Sequence, residues 1–190
     1  MIPGFDIHGV LPPIRPGEDG TSLLRSPYRV DLLTFCKHFG SSSERRQILG
    51  GLLDLRNAIR NAGLVGGYQW LDGSFTEDVE RLRGQPPNDI DVVTFVPLGD
   101  AANQNALLAA HPNLFRHVEC KRTYRVDHYF VNRDQSLTTM ATQTVCYWYS
   151  MWSHQRGSQR WKGFVSVPMM SNDANATAWL ASLGVPGGGP

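Results

Sequence analysis

The segment Asp89-Ile-Asp-Val-Val-Thr-Phe-Val96 constrains this chain more than any other stretch. Ile90, Val92, Val93, Thr94 and Val96 are β-branched, and Pro97 closes the run, so the segment reads as a strand. Aspartate is disfavoured inside strands, yet Asp89 and Asp91 stand in this one. Side chains alternate across a strand, which places both carboxylates on one face and sends Ile90 and Val92 into a core on the other. Two carboxylates about 7 Å apart raise each other's pKa unless a cation lies between them. A divalent, oxygen-preferring ion such as Mg²⁺ resolves that repulsion and also binds nucleotide phosphates.

Tyr124-Arg-Val-Asp-His-Tyr-Phe-Val131 is a second strong strand, and Asp127 within it supplies a third carboxylate if the two strands are neighbours. Upstream, Gly67-Tyr-Gln-Trp-Leu-Asp72 reads as a strand running into the turn Asp72-Gly73-Ser74-Phe75. Glycine permits close backbone approach to a ligand, while a hydroxyl and the free N–H groups of a helical start hold phosphate oxygens. One edge therefore offers donors for a triphosphate, and the other offers carboxylates for its metal. That pairing suits attack of a hydroxyl on an α-phosphate with loss of pyrophosphate.

The remaining chain supplies the frame. Residues 1–27 carry five prolines and read as an extended arm, with the apolar Ile2, Phe5, Ile7, Val10, Leu11 and Ile14 laid against the body. Residues 28–185 read as one domain, and 186–190 as a flexible tail. Leu32, Phe35, Cys36 and Phe39 recur at helical spacing. Ser41 and Glu44 give a capping signal for a second helix, striped by Ile48, Leu52, Leu55 and Ile59 and stopped at Gly63. Arg45, Arg46, Arg56 and Arg60 lie off that stripe and read as a solvated face. Residues 81–88 read as a loop. Asp100 is expected to cap a helix through Ala110, residues 138–155 to be helical, 161–167 a strand, and Asp173 to cap a last helix. Interleaved helices and strands predict an α/β (α+β) class, a mixed sheet flanked by helices.

With 41% hydrophobic and 18% charged residues the chain can bury a core. Eighteen Lys and Arg against 17 Asp and Glu give a net charge of +1, so bulk charge does not favour nucleic acid and only a local patch would. Neither a membrane-length apolar run nor a signal-peptide pattern is present. The three cysteines, Cys36, Cys120 and Cys146, suggest no disulfide framework; the expected location is the cytoplasm, with no membrane association.

Leu71-Asp72-Gly73-Ser74-Phe75, Asn88-Asp89-Ile90-Asp91-Val92 and Val126-Asp127-His128-Tyr129 resemble the Gly-Ser, Asp-x-Asp and third-Asp elements of the DNA polymerase β-type nucleotidyltransferase superfamily. Trp70-Leu-Asp-Gly-Ser-Phe, Pro87-Asn-Asp-Ile-Asp-Val-Val, Tyr147-Trp-Tyr-Ser and Trp161-Lys-Gly-Phe resemble a small bacterial group within it. The resemblance implies a nucleotidyltransferase-like sheet in which Gly73 and Ser74 hold the nucleoside triphosphate. It implies that Asp89 and Asp91 bind two Mg²⁺ ions, and that Asp127 joins one metal and helps activate the attacking hydroxyl. Fifteen positions separate Ser74 from Asp89, longer than in the smallest members, and no large helical substrate domain follows Asp127.

The implied reaction moves an NMP from an NTP, ATP among the candidates, to a hydroxyl on a protein or RNA acceptor. The alternative is an inert binding module, or an antitoxin-like protein with a partner from a neighbouring gene; a bacterial or phage-defence role is also compatible. Lys121, Arg122, Arg125 and Lys162 are candidate phosphate or nucleic-acid contacts, with Lys121 assigned to the nucleotide; solvent-facing strand positions are the plainer reading. The block Tyr147-Trp148-Tyr149, with Met151 and Trp152, reads as helix core or an oligomer contact, with base stacking as the functional alternative. His128, next to Asp127, points to the opposite strand face.

Overall fold

The computed structural model of the chain describes residues 1–134 and 139–185. In chain order the elements are β1 (Tyr28–Arg29), α1 (Leu32–Phe39), α2 (Ser43–Asn61), β2 (Tyr68–Asp72), a 3-10 turn (Gly73–Thr76), α3 (Val79–Arg83), β3 (Ile90–Val96) and α4 (Ala101–Ala110). A second 3-10 turn (Pro112–Leu114), α5 (His117–Tyr124), β4 (Val126–Asn132), α6 (Thr139–Trp152), β5 (Val165–Pro168) and α7 (Asp173–Ser182) follow. The strands form one mixed sheet in the order β1-β5-β2-β3-β4. β1 with β5 and β3 with β4 are parallel; β2 is antiparallel to both β5 and β3. The expected α/β (α+β) class is thus the observed one. The tail 186–190 lies outside the described residues, and no helix among those described is long and apolar enough to cross a membrane.

Alternation along the strands splits the interior in two. Ile90, Val92 and Val96 of β3 join Leu71, Val126, Val165 and Val167 in the larger core, with α1, α2 and α7. Val93 and Phe95 point the other way and pack with Trp70, Trp152 and Phe164, which Trp148 and Tyr149 of α6 flank. Most of the aromatic block therefore serves as helix packing. Tyr147 at 58% and Met151 at 42% exposure remain outside it.

The N-terminal arm lies against the body as its apolar residues predict, except at Ile7, which is exposed. Val10 and Leu11 are fully buried, and Gly163 N–H donates to the Leu11 carbonyl at 2.7 Å. Four local expectations are corrected. Ser42, not Ser41, caps α2, its hydroxyl accepting from Arg45 N–H, because Ser42 is the residue with extended backbone ahead of the first turn. Residues 81–83 belong to α3, which ends on Gly84 in the left-handed region. Asp173 opens α7 but does not cap it; its carboxylate turns instead to Arg56 and Arg60. Arg45 and Arg56 are buried, because α2 is covered beyond its apolar stripe and each guanidinium finds a carboxylate and carbonyls there.

Candidate active site

Three adjacent strands bring three carboxylates into one row. Asp72 at the end of β2 is the register partner of Asp91 in β3, and Asp91 is the partner of Asp127 in β4. Asp89 immediately precedes β3, whereas the sequence reading places it within the strand, and it closes the cluster through Lys121. The Lys121 ammonium lies 2.5 Å from Asp89 Oδ2 and 3.8 Å from Asp127 Oδ2, so one ammonium reaches the first and last of the three predicted acids. Asp89 and Asp127 together hold the Lys121 ammonium above the usual lysine value. Lys121 sits on α5, not on a strand, with its side chain 53% exposed.

Burial pushes the Asp91 carboxyl up to about 7, and the charges of Asp72, Asp89 and Asp127 add to the rise. Asp127 Oδ1 is buried without a hydrogen-bond partner; the nearest cationic candidate is His117 Nδ1 at 3.9 Å. Buried acceptors are normally satisfied, so this orphan marks a place where a donor or cation fits. His128 points to the opposite face as expected. It is buried against Thr94 Oγ1 at 2.7 Å and kept neutral, burial lowering its pKa to about 3.

The Gly73–Thr76 turn stands directly against Asp91. Gly73 has φ +82°, and a Cβ there would lie 2.0 Å from Asp91 Oδ2. Ser74 is half-buried on the same turn. Gly73→Ala combines strained backbone with a clash against the cluster, so we expect it to cost about 1–3 kcal/mol. Urea denaturation checks this; a loss below about 0.5 kcal/mol would mean that the turn yields freely.

Two residues that hold this turn were not recognised from the sequence as doing so. Arg45 donates to the carbonyls of Phe75 and Glu77 at 2.7 Å each and pairs with both oxygens of Glu80. Lys162 is neither solvent-facing nor a phosphate contact. It is buried behind the turn, 3.0 Å from Asp72 Oδ1 and 3.0 Å from Glu77 Oε1. Burial alone would lower its pKa, but the two carboxylates hold the ammonium above the usual lysine value. β5 begins only at Val165, so Lys162 sits on the approach to the strand, where alternation does not govern it. Arg122 pairs with Glu119, and Arg125 donates to the Asn88 carbonyl beside Asp89.

The donors facing the row are carboxylate oxygens, which suit a hard divalent ion. Among the described residues no group of three or more His, Cys, Asp or Glu is placed so that it could hold a metal ion. The exposed Lys121 ammonium stands between Asp89 and Asp127 instead. Carboxylate oxygens are the donor type a hard divalent ion takes, but as placed those of Asp89 and Asp127 face the Lys121 ammonium.

Residues 3–168 match a family of unknown function, DUF6932, and the chain belongs to that family. No curated protein and no solved structure matches it.

Proposed function

We propose that the chain is a nucleotidyltransferase that moves an NMP from an NTP to a hydroxyl of a protein or RNA acceptor. The observation that carries this reading is the row Asp72–Asp91–Asp127, closed by Asp89 and set against the Gly73–Ser74 turn. The resemblance of the same residues to the DNA polymerase β-type elements points the same way.

Asp89, Asp91 and Asp127 would hold Mg²⁺, two ions by the resemblance. When bound, the metal would neutralise phosphate charge and lower the pKa of a coordinated hydroxyl. The chain's own residues do the rest. Gly73 lets the turn lie directly against Asp91, and the Ser74 hydroxyl donates to a phosphate oxygen. Lys121, once displaced from Asp89, pairs with the triphosphate. The acceptor oxygen forms a bond to the α-phosphorus. The bond from that phosphorus to the bridging oxygen breaks, and pyrophosphate leaves with the electron pair. The hydroxyl proton passes to Asp127. Held in line, these partners need little further chemistry from the protein.

The test is transfer of label from each α-labelled NTP in the presence of Mg²⁺. Asp89→Asn combined with Asp91→Asn is expected to lower transfer by at least about 10³-fold, as loss of charge stabilisation at the reacting phosphate does. Transfer that survives the double change rejects these roles. The Lys121 ion pair favours a second reading, an inert binding module whose carboxylates are neutralised from within. Calorimetry with ATP, GTP, CTP and UTP plus Mg²⁺ separates the two, since the module would bind none of them.

A further inference from the structure

Resting on that reading of the carboxylates, we propose that the acceptor is a single-stranded polynucleotide, held on an aromatic ladder that starts at Asp127. His117 of α5 lies beside Asp127 and stacks on Tyr129 of β4, centroids 5.7 Å apart and planes 14° apart. Tyr129 contacts Trp148 of α6 at 5.0 Å, and Trp148 contacts Tyr147 at 5.4 Å. Tyr129 is 37% and Tyr147 58% exposed, while Trp148 is anchored on the buried Trp152. Tyr129 lies two residues beyond Asp127, so both side chains leave the same sheet face at a spacing of about 7 Å.

The array crosses α5, β4 and α6 and does not follow one helical stripe, so it is not the pattern of a helix-docking face. One exposed cation, Arg116, flanks it. Exposed Arg116 precedes α5 next to His117, while Lys121, on the same helix face at i+4, is held by Asp89, and Arg125 turns away to the Asn88 carbonyl and Gln47. Rings to stack bases beside cations to meet phosphates are the two components of a sequence-tolerant single-strand site. A strand lying on the ladder presents its terminal hydroxyl to Asp127, the group that takes the proton in the transfer step.

The experiment is fluorescence anisotropy of the full chain with labelled 12-nucleotide (about one ladder's site size) RNA and DNA oligomers. It is run without NTP and repeated on the Asp89→Asn/Asp91→Asn protein, so binding is read independently of transfer. Tyr129→Ala and Tyr147→Ala are each expected to weaken binding about tenfold, and the Phe variants to retain it. Arg116→Ala is expected to reduce the salt slope by about one unit. RNA binding with no DNA binding, or both, supports the ladder. Absence of binding to about 100 μM, or binding indifferent to both tyrosines, overturns it even if NTP label moves to protein. Self-association lost in Tyr147→Ala, with no oligomer bound, assigns the surface to a second copy of this chain and also overturns it. Tyrosine-dependent binding without transfer would keep the ladder and reject the catalytic reading alone.

Discussion

Asp91→Asn is expected to be more stable than the native chain at pH 8 and equal to it near pH 4. Asp91 sits in the middle of the carboxylate row, half-buried, with Asp72 and Asp127 as its neighbours across the sheet. Its carboxyl titrates at about 7 in the folded chain and near the ordinary 3.8 when unfolded. Between those values the folded chain binds a proton that the unfolded chain has released, so stability falls as pH rises through the window. The whole penalty is present above about pH 7 and absent below about pH 4. A shift of that size corresponds to at most about 4 kcal/mol, and relaxation around the half-buried group reduces it. Asparagine keeps the shape and removes the charge, so its advantage should grow from nothing to about 2–4 kcal/mol across the same pH range. Urea denaturation of both proteins at several pH values reads this directly. A constant difference across pH would show that the native penalty is not electrostatic. Millimolar Mg²⁺ should narrow the gap by stabilising only the native chain, because only that chain keeps the full set of acids.

Such a trade, in which a group weakens the fold and is retained at the centre of a site, is the physical form a functional residue takes. It was legible in the sequence because Asp91 violates strand propensity inside an otherwise β-branched run. The row itself was partly legible. Asp127 could be placed only on condition that β3 and β4 are neighbours, since no local pattern fixes strand order. Asp72 was readable as a turn residue, but not as the third member of the row. Its place depends on the antiparallel register of β2 with β3, which side-chain periodicity does not specify. Asp100 capped α4 as read, because an N-cap is a contact between residues three apart. Lys162 and Arg45 were misread for the opposite reason. Their partners lie 85 to 90 and 30 to 35 positions away, and only the tertiary fold turns a charge that looks solvated into one that is buried.

Arg56 is the largest case of this kind and gives the second prediction. Asp173→Ala is expected to destabilise the chain by about 3–5 kcal/mol, the cost of leaving a buried charge without its partner. The Arg56 guanidinium is fully buried in α2 and donates to both Asp173 oxygens at 2.8 and 2.9 Å. It also donates to Gln69 Oε1 at 2.6 Å and to the carbonyls of Pro168 and Met169. Gln69 in turn donates to Thr94 Oγ1, and Thr94 pairs with His128, so the network crosses the helix-covered face of β2, β3 and β4. Removing Asp173 leaves these hydrogen bonds in place but takes away the charge that balances Arg56. Arg60 also pairs with Asp173, but its side chain is 26% exposed, so Arg60→Ala should cost no more than about 1 kcal/mol. Arg56→Met combined with Asp173→Leu removes both charges and should recover part of the loss, with Gln69 left short of one donor. Denaturant midpoints of the three proteins order these effects. If Asp173→Ala costs less than Arg60→Ala, the guanidinium is balanced by its carbonyls alone, and the ion pair does not tie α7 to α2.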